Sequence, residues 1–296
     1  MVACCPPRRH QLARGLDLPN TGPKRHCSSG WVGDGWVAVV TSVLLAFVAG
    51  LVLAAVTAPV GVSGAVFMLP VQLDVLRVPN PAITPTNLLF NVVATPGSLV
   101  RYRRQGQLGG VLVRRLAAGT LPGVVLGAVA RVHLLPDARH FRFLLAAFLL
   151  PLGLWLCLRT LRPAWRRQLR PPKARTVTAL ALVVGFVGGL YGIGGGSILS
   201  PILVGRGMPV ATVAPAALAS TFLTSLAGAA TYAVLAAASA GDIAPHWAVG
   251  LAAGLGGLIG GYGGAHLQSY FPENILRLLL GVLAVVLAAF YFAQAV

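Results

Sequence analysis

Carboxylates are scarce in this sequence: 6 Asp and Glu stand against 23 Lys and Arg in 296 residues, and charged residues of both signs make up only 10%. Soluble globular domains carry about 25%, so no water-facing shell can be built from what is here. A proton-coupled mechanism needs a titrating group at membrane depth. No carboxylate stands inside a long apolar run, so the coupling ion stays open. Cysteine is sparse too. Cys4, Cys5 and Cys27 lie near His10 and His26, and Cys157 sits in an apolar run. Their spacing forms neither a disulfide framework nor a zinc-ligand pattern, and no metal is expected. A Walker A motif is missing, which excludes ATP hydrolysis by this chain. Ser197 stands where a G-x-G-x-x-G loop needs its last glycine, and no βαβ context surrounds it, so no nucleotide cofactor is expected. Neither a Ser/His/Asp set nor His-x-x-x-His occurs inside the apolar runs. The chain is therefore not expected to be an enzyme.

What the sequence has instead is uninterrupted hydrophobicity, 56% of residues. Stretches without Asp, Glu, Lys or Arg run from Gly35 to Leu73, Val78 to Val100, Thr176 to Gly205, Gly207 to Gly241, Ile243 to Pro272 and Leu278 to the end. A membrane helix needs roughly 20 apolar residues, and each stretch supplies them. Leu116 to Ala130 and Phe143 to Leu158 are shorter, but the arginines at their edges can snorkel to the headgroups. The fold class expected is all-α: a polytopic membrane helix bundle with about eight crossings. His133, His140, His246 and His266 fall near span ends, where interfacial anchoring is the default reading.

The net charge of +17 would suggest nucleic acid in a soluble protein. Here the basic residues gather between apolar runs: five in the first 35 residues, five from Arg101 to Arg115 and seven from Arg159 to Arg175. That is the pattern of positive-inside topology. The expected partners are a lipid bilayer and a small anion, with no nucleic acid, and a homo-oligomer is left open. Residues 1–35 read as a basic, disordered cytosolic tail, 36–160 as one membrane unit, 161–175 as a basic cytoplasmic linker and 176–296 as a second unit. Both termini are expected in the cytoplasm of a cell with this chain in its inner (plasma) membrane.

The two units share an internal order. Gly61, Gly64 and Pro70 recur as Gly192, Gly195 and Pro201, each 131 residues on, and Pro85 to Tyr102 aligns with Pro215 to Tyr232 at nearly the same offset. This is a duplication. Each unit is expected to open with one long segment that is broken or re-entrant near its middle, followed by three more spans. Four crossings per unit would make the repeats parallel and five would make them inverted, and the sequence leaves both open.

The breaks carry the chemistry. Gly192, Gly194, Gly195, Gly196 and Ser197, followed by Pro201, interrupt an apolar run, and Gly61, Ser63 and Gly64 interrupt its partner. Each glycine costs a helix about 1 kcal/mol relative to alanine. Non-helical backbone at membrane depth is tolerated only where protein or a water-filled cavity satisfies it. The breaks are thus expected to line a path, with half-helix N-termini favouring an anion. Asn87 and Asn91, one turn apart on a shared face, and Thr221, Thr224 and Ser225 in the matching helix complete the candidate binding residues. Glycines at Gly250, Gly254, Gly257, Gly260, Gly261 and Gly264 follow small-xxx-small spacing and are assigned to helix packing.

The Gly-Ile-Gly-Gly-Gly run at 192–196 with its following proline, the duplicated unit, and the stretch from Thr86-Asn87 to Tyr102-Arg103-Arg104 resemble the TauE/SafE family of membrane permeases over Trp36 to Val296. The resemblance implies export of sulfur-containing anions such as sulfite and organosulfonates. Where the family often has Thr-Ser after the broken segment, this chain has Thr86-Asn87 in one unit and Ala216-Ala217 in the other. A polar site would therefore be lopsided toward the first unit.

Overall fold

A computed structural model describes residues 31–134, 150–151, 153–155, 157–158, 160–161, 174–238 and 244–295. Residues 1–30 of the expected tail and most of the basic linker lie outside the described residues, while residues 31–35 open the first helix. Helix α1 is Trp31–Thr57, followed by a 3₁₀ turn, Ala58–Val60. A short α2, Ala65–Pro70, leads into a π turn, Val71–Val75. Helices α3 (Asn80–Arg104) and α4 (Val111–Leu134) follow, then helical residues between 150 and 161. The second unit holds α5 (Ala174–Tyr191), α6 (Gly195–Gly205), α7 (Val210–Ala238), α8 (Trp247–Leu267), a 3₁₀ turn Gln268–Tyr270, and α9 (Glu273–Ala295). No strand occurs among the described residues. Among the described residues, five segments are long and apolar enough to cross a membrane: Val39–Val60, Val111–Val132, Ala174–Tyr191, Val210–Ala237 and Trp247–Tyr270.

The burial pattern is that of a protein dissolved in lipid. Large apolar side chains such as Val40, Leu44, Val52, Val183, Val234 and Ile259 face outward, while Asn87, Asn91, Thr221 and Ser225 are fully buried. Water would drive the opposite arrangement. Small residues let the backbones meet. A methyl group on Gly260 would lie 2.0 Å from the Leu51 carbonyl oxygen, and one on Gly256 would lie 2.0 Å from that of Phe47. Gly250, Gly254, Gly257, Gly260, Gly261 and Gly264 of α8 are packing residues, as their spacing predicts.

Helix directions follow from which residues meet. Phe47, Leu51 and Ala55 of α1 meet Gly256, Gly260 and Gly264 of α8, while Leu89, Val93 and Ser98 of α3 meet Gly250, Gly254 and Gly261. Helices α1, α3 and α8 therefore run parallel. Gly119, Gly123 and Gly127 of α4 meet Ala181, Leu182 and Phe186 of α5 in rising order, and Thr120 and Val124 of α4 meet Ser220 and Gly228 of α7. Helices α4, α5 and α7 form a second parallel set. Thr84 and Leu88 of α3 meet Tyr232 and Gly228 of α7, so the sets point in opposite directions.

One expectation is sharpened and one needs correction. Of the two forms expected for each broken segment, the re-entrant one is present: its two parts run against each other. Descending α2 brings Ser63 beside Asn91 and Ala65 beside Asn87, antiparallel to α3 and hence to α1. In the same way α6 runs antiparallel to α7, with Gly196 against Ala217 and Gly195 against Thr224. The reason is local: Pro59 stops α1 by its ring and missing N–H. Left-handed Gly61 (φ 73°) and its counterpart Gly192 (φ 68°) then reverse the chain instead of bending it. As a result α1 begins on the face opposite to the 105–110 connection, and α9, which starts beside that connection, ends on the face where α1 begins. The helix ends nearest the two termini share a face with each other, but not with the basic 105–110 connection.

Candidate functional site

The two reversals meet at the centre. At the first, Thr57 ends α1 and three successive carbonyls turn inward. The Tyr102 hydroxyl donates to the Ala58 oxygen at 3.0 Å, Gln268 Nε2 to Pro59 at 2.8 Å, and Ser200 Oγ to Val60 at 2.6 Å. Three separate elements thus supply side-chain donors to the carbonyls of the 3₁₀ turn, of which Ala58 also accepts from Gly61 N–H at 3.0 Å, and backbone at this depth needs such partners. The second reversal repeats part of the scheme. The Tyr232 hydroxyl donates to the Gly189 carbonyl at 3.3 Å, again three residues before a left-handed glycine, and Ile193 N–H donates to the Gly188 oxygen at 3.1 Å.

Side chains then tie one break to the other. Ser63 N–H donates to Ser197 Oγ at 3.1 Å, and Ser63 Oγ donates to Asn91 Oδ1. The Asn91 amide donates in turn to the Ile193 carbonyl at 3.1 Å and the Gly192 carbonyl at 3.4 Å. Ser63 Oγ also accepts from Ala65 N–H at 3.0 Å, closing a tight turn ahead of α2. On the other side Ser197 and Thr221 hydroxyls lie 3.3 Å apart, and Thr224 Oγ1 accepts from Gly195 N–H at 3.3 Å, the first amide of α6. Asn87 Nδ2 donates to the Ala65 carbonyl at 3.1 Å, while Asn87 Oδ1 and Ser225 Oγ are buried without a partner.

All thirteen residues singled out by sequence therefore gather at the breaks. Their roles differ. Gly61, Gly192 and Gly194 take left-handed backbone at φ 73°, 68° and 76°. Gly195 and Gly196 are there for closeness: a methyl on Gly196 would sit 1.8 Å from the Ala217 carbonyl oxygen, and one on Gly195 would sit 2.7 Å from Thr120 Cγ2. Ser63 and Gly64 border a small cavity shared with Thr57, Thr95 and Ser98.

Sequence reasoning missed several polar residues here. Thr84, Thr95, Ser98 and Tyr102 extend the face of Asn87 and Asn91 into one buried stripe along α3, at steps of three and four. That spacing was the available signal, since it keeps residues on one helix face. Gln268, Ser200, Thr120 and Ser220 carried no such signal. Their partners come from remote parts of the chain, as in the Thr120–Ser220 hydroxyl pair at 2.9 Å. Arg131, a buried guanidinium near the end of α4, sits close to Tyr191 and Tyr232 at the second break. It was read only as an edge residue of a span.

Residues 45–291, which include both breaks, match the family described as sulfite exporter TauE/SafE. The chain belongs to that family. A curated relative, the probable membrane transporter protein YjnA of Bacillus subtilis (strain 168), is 32% identical over 169 residues. That match covers 52% of this chain and 65% of the relative, so the chain spans a little under two thirds of the relative's length. No solved structure matches. In this TauE/SafE protein the positions at which the units differ, Thr86-Asn87 and Ala216-Ala217, do different work. Asn87 is committed by its amide to α2, whereas Ala217 gives α6 a close backbone approach at Gly196.

Proposed function

We propose that this TauE/SafE protein is a secondary carrier for a small anion, and that substrate passes between the two breaks by alternating access. The observation that carries the proposal is the direct link from Ser63 to Ser197 and from Asn91 to Gly192 and Ile193. Two half-helices start there, and helix N-termini favour negative charge. The units form inverted repeats in this reading, so that rocking one against the other exposes the same residues to either face. The thirteen residues named from sequence are its binding residues.

Support for an anion of the sulfur class comes from the family's description. Purified protein in liposomes should carry at least one of sulfite, thiosulfate, methanesulfonate and acetate. Absence of flux across that panel removes the carrier reading and favours a membrane subunit that works only in an assembly. The positive-inside rule further assigns the face bearing Arg101, Arg103, Arg104, Arg114 and Arg115 to the cytoplasm of the inner membrane, which places the start of α1 outside.

A further inference from the structure

We propose that Gln72 contacts the transported anion, an inference that rests on the carrier reading. Gln72 lies in the π turn that follows Pro70, and its side chain is fully buried. Neither its Nε2 nor its Oε1 has a hydrogen-bond partner. Its backbone carbonyl is occupied, accepting from Val78 N–H at 2.9 Å, so the turn itself is well anchored. Burying a primary amide with both ends unanswered is costly and rare in finished interiors. A π turn is also a costly way to build a helix end, and such turns recur at functional sites.

Three further points single the residue out. Gln72 lies on the same short segment as Ala65, in the turn directly after α2. Ala65 receives the Asn87 amide, whose Oδ1 is itself buried and unpartnered. Ser225 Oγ, beside Gly194, is in the same condition. The unanswered groups thus come from α7, α3 and the α2 segment, the elements that meet at the breaks. Finally, the position 131 residues on is Leu203, which is fully buried. The corresponding place in the second half accepts a branched apolar side chain, so packing alone does not demand an amide at position 72.

The chemistry fits a small oxyanion that travels with a proton or a water molecule. Nε2 donates to an anion oxygen, and Oε1 accepts from the acid proton or the accompanying water. Aliphatic anions without such a donor would use only half of the group.

The test compares wild type, Gln72→Leu and Gln72→Glu on whichever anion of the four-member panel wild type carries best. Gln72→Leu should raise the unfolding midpoint by about 3 °C, because an unanswered amide is removed. It should also raise KM at least about ten-fold, the loss expected for one hydrogen bond to a charged group. Gln72→Glu should abolish flux through charge repulsion. A stabilised Gln72→Leu with wild-type KM overturns the assignment, and so does a destabilised one whose flux falls only as its folded fraction falls. If wild type carries none of the four anions, the carrier reading fails first and takes this assignment with it. Flux in wild type with an unchanged KM in Gln72→Leu removes this assignment alone.

Discussion

Asn91 joins the two breaks through one side chain, accepting from Ser63 and donating to Gly192 and Ile193. Replacement by Asp keeps the acceptor and the size but turns the donor into a charge facing two carbonyls. Asn91→Asp should cost more stability than Asn91→Ala, whose loss is about 1–3 kcal/mol for groups left unpaired. Thermal unfolding in detergent reads the order, and the prediction fails if Asp is the milder change. Asparagine was conspicuous in the sequence because an amide in hydrocarbon demands partners. Serine and threonine away from the breaks and their matching helix were less so, because they can satisfy themselves. Thr57, Thr86 and Thr120 each donate to the carbonyl four residues back. Thr84, Thr95 and Ser98 could be found only as a stripe, and Gln72 escaped because it lies between Pro70 and the charged pair Asp74 and Arg77, where the sequence suggests a span end.

At the scale of elements, the glycines divide by what surrounds them. Gly196 has the Ala217 carbonyl where a methyl would go, whereas Gly263 of α8 has open space. Gly196→Ala should therefore destabilise by about 1–3 kcal/mol or more through overpacking. Gly263→Ala should be neutral or stabilising by up to about 1 kcal/mol, as helix propensity dictates. Equal effects in a melting assay would remove the distinction. The sequence located both breaks because consecutive glycines suit no single helix face. It left open whether each break was a bend or a re-entrant reversal, since the lengths of apolar runs do not record direction. A left-handed residue after a proline-terminated helix was the missing piece, and it depends on how Ala214 and Ser200 crowd Gly61.

At the scale of the molecule, the directions of the helices set sidedness. Arg77 and Gln107 are both exposed, and they lie at opposite ends of α3. In a background lacking the native cysteines, Arg77→Cys should react with an impermeant thiol reagent on intact cells. Gln107→Cys should react only after permeabilisation. Labelling of both from one side would contradict the helix directions described above. Charge bias alone suggested that tail and loops share a side, because the rule counts basic residues without knowing how many times the chain crosses between them.

Helix α8, made late, is the main neighbour of α1, made first, and α4 of the first half is lodged against α5 and α7 of the second. The halves are interlocked, not merely docked. During synthesis Leu51 must wait for Gly260, and until then lipid or an insertion partner has to cover the α1 face that α8 will occupy. Cutting the gene within the linker should yield two fragments that are each degraded alone and recovered together when co-expressed. Evolution of such a chain is constrained accordingly: neither half can be lost, exchanged or duplicated again without leaving the other half's central helices unclothed.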